Sequence, residues 1–207
     1  MKGRYFLSPL FALILTSAMV SNVLADNAKK IVCTGEYSYA SLNDLIVPKG
    51  QTCTIGRFNV VNGNIEVKEG ANLVVCPDND IHGNIKADRP NSIFISDQLI
   101  GPCAPLSPPP KALGIIIDGD IKVESGNSFT LIGNPAGVVA VKGDVKIERT
   151  QTVAIMQFTI NGDVNIKHST DVTVTDNVIG GDLKIKGTSG TCTENNNSVS
   201  GKVDSCS

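Results

Sequence analysis

Four aspartates in this chain each follow a glycine and precede an aliphatic residue: Asp120, Asp144, Asp163 and Asp182. Two residues beyond them stand Lys122, Lys146, Asn165 and Lys184. Carboxylates and ammonium groups recurring together suit three kinds of chemistry. Acid–base cleavage of a polysaccharide needs carboxylates beside a basic group, which makes Asp120, Asp144, Asp163, Lys122 and Lys146 the candidate catalytic set. A regular strip of charge built from Asp120, Asp144, Asp163, Asp182, Lys122, Lys146 and Lys184 suits a periodic polymer. Aspartates from separate segments also hold calcium weakly, but lysines alongside repel a cation, so neither a metal nor a cofactor is assigned. The stretch "CPDNDIHGN" gathers Asp78, Asn79, Asp80 and His82. It lacks the spacing of an EF-hand and reads as a surface turn.

The elements that position these groups follow from a repeat. A glycine precedes Asp or Asn and then an aliphatic residue at Gly63, Gly83, Gly119, Gly143, Gly162 and Gly181. Gly201 opens a degenerate copy, and Asn43 begins one without glycine. Most copies lie 19 or 20 residues apart; one gap is 36 and one is 24. Such a period signals stacked repeats. Within each copy two apolar alternations recur, as in Val145/Ile147 with Val153/Ile155, then Val164/Ile166 with Val172/Val174. A looser apolar patch follows, at Phe158/Ile160, Val178/Ile179 and Leu99/Ile100. Short alternating runs of Val and Ile, separated by Gly, Asn, Asp, Ser and Thr, predict half-buried strands joined by turns.

Three short strands per ~20 residues make one coil of a solenoid, and stacking at ~4.8 Å gives every strand a partner above and below. The expectation is an all-β, single-stranded parallel β-helix of about seven coils of ~20 residues. A left-handed solenoid would show a strict six-residue period, so the expected hand is right. The recurrent glycine is expected to take a positive φ at a corner. The 36-residue gap holds "GPCAPLSPPPKALG", a Pro-rich stretch that cannot stack as a strand and reads as a loop over residues 101–114. "GNPAG" at 133–137 reads as a smaller excursion.

In this register the outward residues form columns. One reads Asp44, Asn64, Asn84, Asp120, Asp144, Asp163, Asp182, Lys202, and its neighbour Ile46, Glu66, Lys86, Lys122, Lys146, Asn165, Lys184, Asp204. Like charges at ~4.8 Å repel by about 0.9 kcal/mol per pair in water, which the opposite column offsets. On another face Thr52/Thr54, Ser128/Thr130, Thr152 and Asp171/Thr173 make a hydroxyl ladder of the kind that binds ice, but Val74, Phe94 and Ala154 interrupt it.

The ends complete the layout. Lys2 and Arg4, the apolar run Phe6 to Val20 and the small residues before Asp26 read as an export signal over residues 1–25. The apolar run is shorter than the ~20 residues that span a bilayer, so no membrane span is expected after cleavage. Residues 26–42 are then an N-terminal cap, 43–200 the β-helix and 201–207 a C-terminal cap. With a net charge of −2 nothing suggests a nucleic-acid partner, and none is expected. With no Trp, 3 Tyr and 6 Phe, aromatic platforms have little to be built from.

Six cysteines in an exported chain suggest disulfides, and the coil register suggests which. Cys33 lies one coil below Cys53, Cys76 with Cys103 would pin the Pro-rich loop, and Cys192 with Cys206 would close the C-terminal end. Staples near the ends help hold strand edges that otherwise invite aggregation.

The G-[DN]-[ILV]-x-[VIA] copies resemble those of secreted bacterial parallel β-helix repeat proteins, and in pattern those of bactofilins, cytoskeletal β-helices that polymerise end to end. The resemblance covers roughly residues 43–207 and concerns architecture rather than function. The export signal, six cysteines and Pro-rich loop depart from bactofilins. The expected function is a secreted or periplasmic, non-catalytic scaffold of the cell envelope or extracellular space, binding a surface polysaccharide or protein through the Asp/Lys strip or the Pro-rich loop. A β-helix polysaccharide lyase or hydrolase is the alternative, and an end-to-end assembling protein the third reading.

Overall fold

The computed structural model describes residues 30–104, 114–134 and 138–206. The expected export signal and most of the Pro-rich loop lie outside the described residues, as do residues 135–137 of the smaller excursion.

Alternating aliphatic residues recur at one phase in every repeat, so each copy can bury the same side of the same three strands. The chain accordingly winds through three parallel sheets of nine, eight and eight strands. Every strand pairs with its counterparts one repeat away, as in Leu45–Val47 against Ile65–Val67 and Ile65–Val67 against Ile85–Asp88. This is an all-β parallel solenoid of eight turns, about 38 Å long at ~4.8 Å per turn. The eighth turn is at the N-terminal side: Ile31–Val32, Glu36–Tyr37 and Ser41–Leu42 already form a complete coil. Its strands are two residues long, and sequence periodicity is faint in runs that short. Among the described residues no helix is long and apolar enough to cross a membrane.

The inward residues fuse into one core from Cys33 to Ile185. On the first sheet Leu45, Ile65, Ile85, Ile121, Val145, Val164 and Leu183 stack as a continuous aliphatic column. Each fully buried side chain of this kind contributes ~1.5–3 kcal/mol.

The fourth coil departs from expectation. Leu99 and Ile100 do not form its third strand. They sit in the excursion, with Ile100 exposed, and the chain returns to place Ile115 and Ile117 in the core through the strand Gly114–Ile117. A short 3-10 turn, Gly101–Cys103, packs the excursion's root on the outside of the second sheet, where Val74, Phe94, Cys76 and Cys103 make a separate apolar cluster.

The glycine of the repeat has another role than the expected one. None of the motif glycines has a positive φ; among the described residues the glycines that do are Gly50, Gly70, Gly101 and Gly187. At Gly143 a Cβ would lie 2.7 Å from the carbonyl oxygen of Gly119 and 2.2 Å from Asp120 Oδ1. Close approach between stacked coils is what excludes a side chain there.

Candidate functional site

The outward columns on the first sheet run in the expected register: Glu66 pairs with Lys86, Lys86 with Lys122, Lys122 with Lys146, Lys146 with Asn165 and Asn165 with Lys184. The aspartates beside them are engaged with the backbone. The N–H of Asp144 donates to Asp120 Oδ1, that of Asp163 to Asp144 Oδ1, and that of Asp182 to Asp163 Oδ1, each at 2.8 Å. Asn84 Oδ1 accepts from Asp120 in the same way, and Asp182 Oδ1 accepts from Lys202. Each carboxylate thus closes a corner hydrogen bond to the next coil. The same oxygen occupies the space that a Cβ on the following motif glycine would need. Gly and Asp recur together because each makes room for, or bonds to, its counterpart one turn away.

The second carboxylate oxygen meets a lysine in two coils: Lys146 Nζ lies 2.8 Å from Asp144 Oδ2, and Lys184 Nζ 2.7 Å from Asp182 Oδ2. Lys122 turns instead to Glu124, at 2.7 Å. The hydrogen bond from Lys146, with the backbone N–H of Asp163, holds the Asp144 carboxyl below its usual range. Lys184 and the backbone of Lys202 do the same to Asp182. A carboxyl held in its ionised form is a poor general acid.

The residues of "CPDNDIHGN" diverge. Asp78 bridges Arg57, with Nε donating at 3.0 Å. Asn79 is buried, Asp80 points outward, and His82 Nδ1 lies 2.7 Å from Asp118 Oδ2. They converge on no common point, and among the described residues no group of three or more His, Cys, Asp or Glu is placed to hold a metal ion. The hydroxyl ladder is interrupted as its sequence implies: Thr54 aligns with Val74, Val74 with Phe94, Phe94 with Thr130 and Thr130 with Ala154.

Two features escape the repeat pattern. One is a buried asparagine ladder at the corner before the third sheet. Asn79 Oδ1 accepts from the N–H of Asn59, and Asn79 Nδ2 donates to the carbonyl of Cys76. Asn177 repeats the arrangement, accepting from Phe158 and donating to Ile155. Its signal in the sequence is Asn59 and Asn79, 20 residues apart, and Asn177 and Asn197, again 20 apart.

The other is a groove of about 440 Å³ at the N-terminal end, between the outer side of the first coils and the root of the excursion. Glu36, Ser38, Tyr39, Thr54 and Arg57 from the first coils line it together with Leu99, Pro102 and Ala104 from the excursion. Tyr39 stacks on Phe58 with ring centroids 5.2 Å apart, and the Arg57 guanidinium lies over Phe58 at 4.7 Å. Tyr39 and Phe58 are 19 residues apart at one phase of the repeat, the one sign of this platform in the sequence. Scarce aromatics do build a platform here, because the solenoid brings two of them together.

The three disulfides join Cys33 to Cys53, Cys76 to Cys103 and Cys192 to Cys206, the pairs that the coil register suggests. The second ties down the excursion beside the groove. Comparison with protein families, with curated proteins and with solved structures finds no match to this chain. The likeness to bactofilins and to secreted β-helix proteins therefore rests on the repeat pattern alone.

Proposed function

We propose that this protein is an extracytoplasmic, non-catalytic β-solenoid that binds a polymer of the cell surface. The observation that carries the non-catalytic part of the reading is the engagement of the aspartate column. Asp120, Asp144, Asp163 and Asp182 each give Oδ1 to the backbone of the next coil, and Asp144 and Asp182 give Oδ2 to a lysine. That leaves this set poorly suited to acid–base cleavage and well suited to holding a rigid face. Three disulfides are consistent with a place outside the cytoplasm.

End-to-end assembly is disfavoured by Glu194. It stands in the inward column above Val174 at the last coil, where its Oε1 accepts from Asn197 Nδ2 at 2.8 Å. Stacking another apolar coil onto that carboxylate would bury a charge without a cation.

The test is co-sedimentation of the oxidised protein with a panel of insoluble neutral and acidic polysaccharides. Retention on at least one of them, reversed by its soluble oligomers, is the expected result. Failure to sediment with any of them contradicts the reading.

A further inference from the structure

Tyr39 and Phe58 occupy backbone positions with φ of 58° and 59°. The same corner in other coils carries Asp78, Gln157, Asp176 and Asn196, all polar and also at positive φ. Short polar residues tolerate this region, whereas a bulky aromatic side chain there costs about 1–3 kcal/mol. These two aromatics are also exposed, Tyr39 at 78% and Phe58 at 45%. They contribute little to the core that could offset the strain, so what they build is the outer surface. Arg57 contacts both the Phe58 ring and Asp78, which ties the platform to the next coil.

The groove beside the platform has the character of a ligand site, combining apolar lining from Leu99, Pro102 and Ala104 with a few polar groups. Glu36 makes no ion pair among the described residues, and its Oε1 accepts only a 3.4 Å bond from Ser38 Oγ. Thr54 adds a hydroxyl. An aromatic face, a carboxylate that accepts from paired hydroxyls, and two hydroxyls together match a pyranose ring. Its C–H face would lie on Tyr39 and its hydroxyls would turn to Glu36, Ser38 and Thr54. A uronate would set its own carboxylate against Glu36, while Arg57, the cation of the groove wall, is already bridged to Asp78.

We propose that the groove at Tyr39, whose ring is backed by Phe58, is a subsite for one neutral pyranose unit of a polysaccharide. This rests on the polymer-binding reading and specifies its ligand and place. It moves binding away from the Asp/Lys strip.

The experiment is titration calorimetry of the oxidised protein with β-1,4-linked tetramers of glucose, mannose and N-acetylglucosamine, and with tetragalacturonate. The same titrations are run on Tyr39→Ala and Glu36→Gln, with unfolding midpoints confirming that both variants fold. The expected result is binding of at least one neutral tetramer, weakened tenfold or more by Tyr39→Ala and measurably by Glu36→Gln, with no preference for the uronate. Binding that Tyr39→Ala leaves unchanged, or that favours tetragalacturonate, overturns the subsite while the polymer-binding reading stands. Polymers that co-sediment while no tetramer binds also overturn it. Absence of binding to every oligomer and every polymer overturns both.

Discussion

Asp97 is fully buried at the root of the excursion, and among the described residues neither of its carboxyl oxygens has a hydrogen-bond partner. Burial, together with the charge of Asp78, pushes its pKa from 3.8 up to about 7. Arg57, in the neighbouring corner, is taken by Asp78. Between those two pH values the folded chain keeps a proton that the unfolded chain releases. Folding stability therefore falls as pH rises through that window, and the whole loss is present above pH 7. Roughly three units at about 1.4 kcal/mol each give about 4 kcal/mol at most. Asp97→Asn removes the ionisation and keeps the shape. A buried amide and a buried neutral carboxyl carry similar desolvation costs. The two chains should then be nearly equal in stability at pH 4, with the variant the more stable by up to about 4 kcal/mol above pH 7. Urea unfolding of both oxidised proteins from pH 3.5 to 8.5 measures the difference. A difference that does not change with pH, or a variant less stable at pH 8, refutes the reasoning.

Other outcomes follow from the same geometry. Gly143→Ala drives a Cβ against Gly119 and Asp120 and should lower stability by at least ~2 kcal/mol, whereas Gly35→Ala, with nothing within 4 Å, should be near neutral in the same denaturation assay. Asn177→Ala strands the Phe158 N–H and removes a side-chain bond to the Ile155 carbonyl, a loss of about 1–3 kcal/mol readable as a lower unfolding midpoint. Replacing Cys76 and Cys103 by Ser opens a link between residues 27 apart, worth about 3–4 kcal/mol by loop entropy. Asp144, Asp171 and Asp182 have depressed folded pKa values, so their contribution is present above the usual carboxylate range and is lost as pH falls through the lower values. With Asp97 acting in the opposite sense, stability should peak on the acid side of neutrality, and a pH series of thermal unfolding locates that peak.

The fold was legible because burial acts on single residues at a fixed phase. Val145/Ile147 and Val153/Ile155 show the strands directly, and the pairing of Cys33 with Cys53 follows once the coil length is known. The role of the motif glycine was not legible, since a positive φ and a close backbone approach select the same residue. Nor was the fate of the aspartates, because a carboxylate that bonds the next coil has the same spacing as one that faces a ligand. The third strand of the fourth coil was misplaced because Leu99 and Ile100 are as apolar as Ile115 and Ile117; what separates them is the return of the chain after the Pro-rich segment. The platform of Tyr39 and Phe58 shows in the sequence only as two aromatics 19 residues apart, and becomes a site through the groove that Leu99 and Pro102 close.

The central claim is that the aspartate column binds coil to coil and carries no chemistry. The most direct measurement is the rate at which new chain ends appear in any polysaccharide the oxidised protein retains, with and without calcium, for the native sequence and for Asp144→Asn. Binding without release of chain ends, with Asp144→Asn altering stability alone, is the predicted result. Turnover by the native sequence that disappears in Asp144→Asn while the fold persists would contradict it.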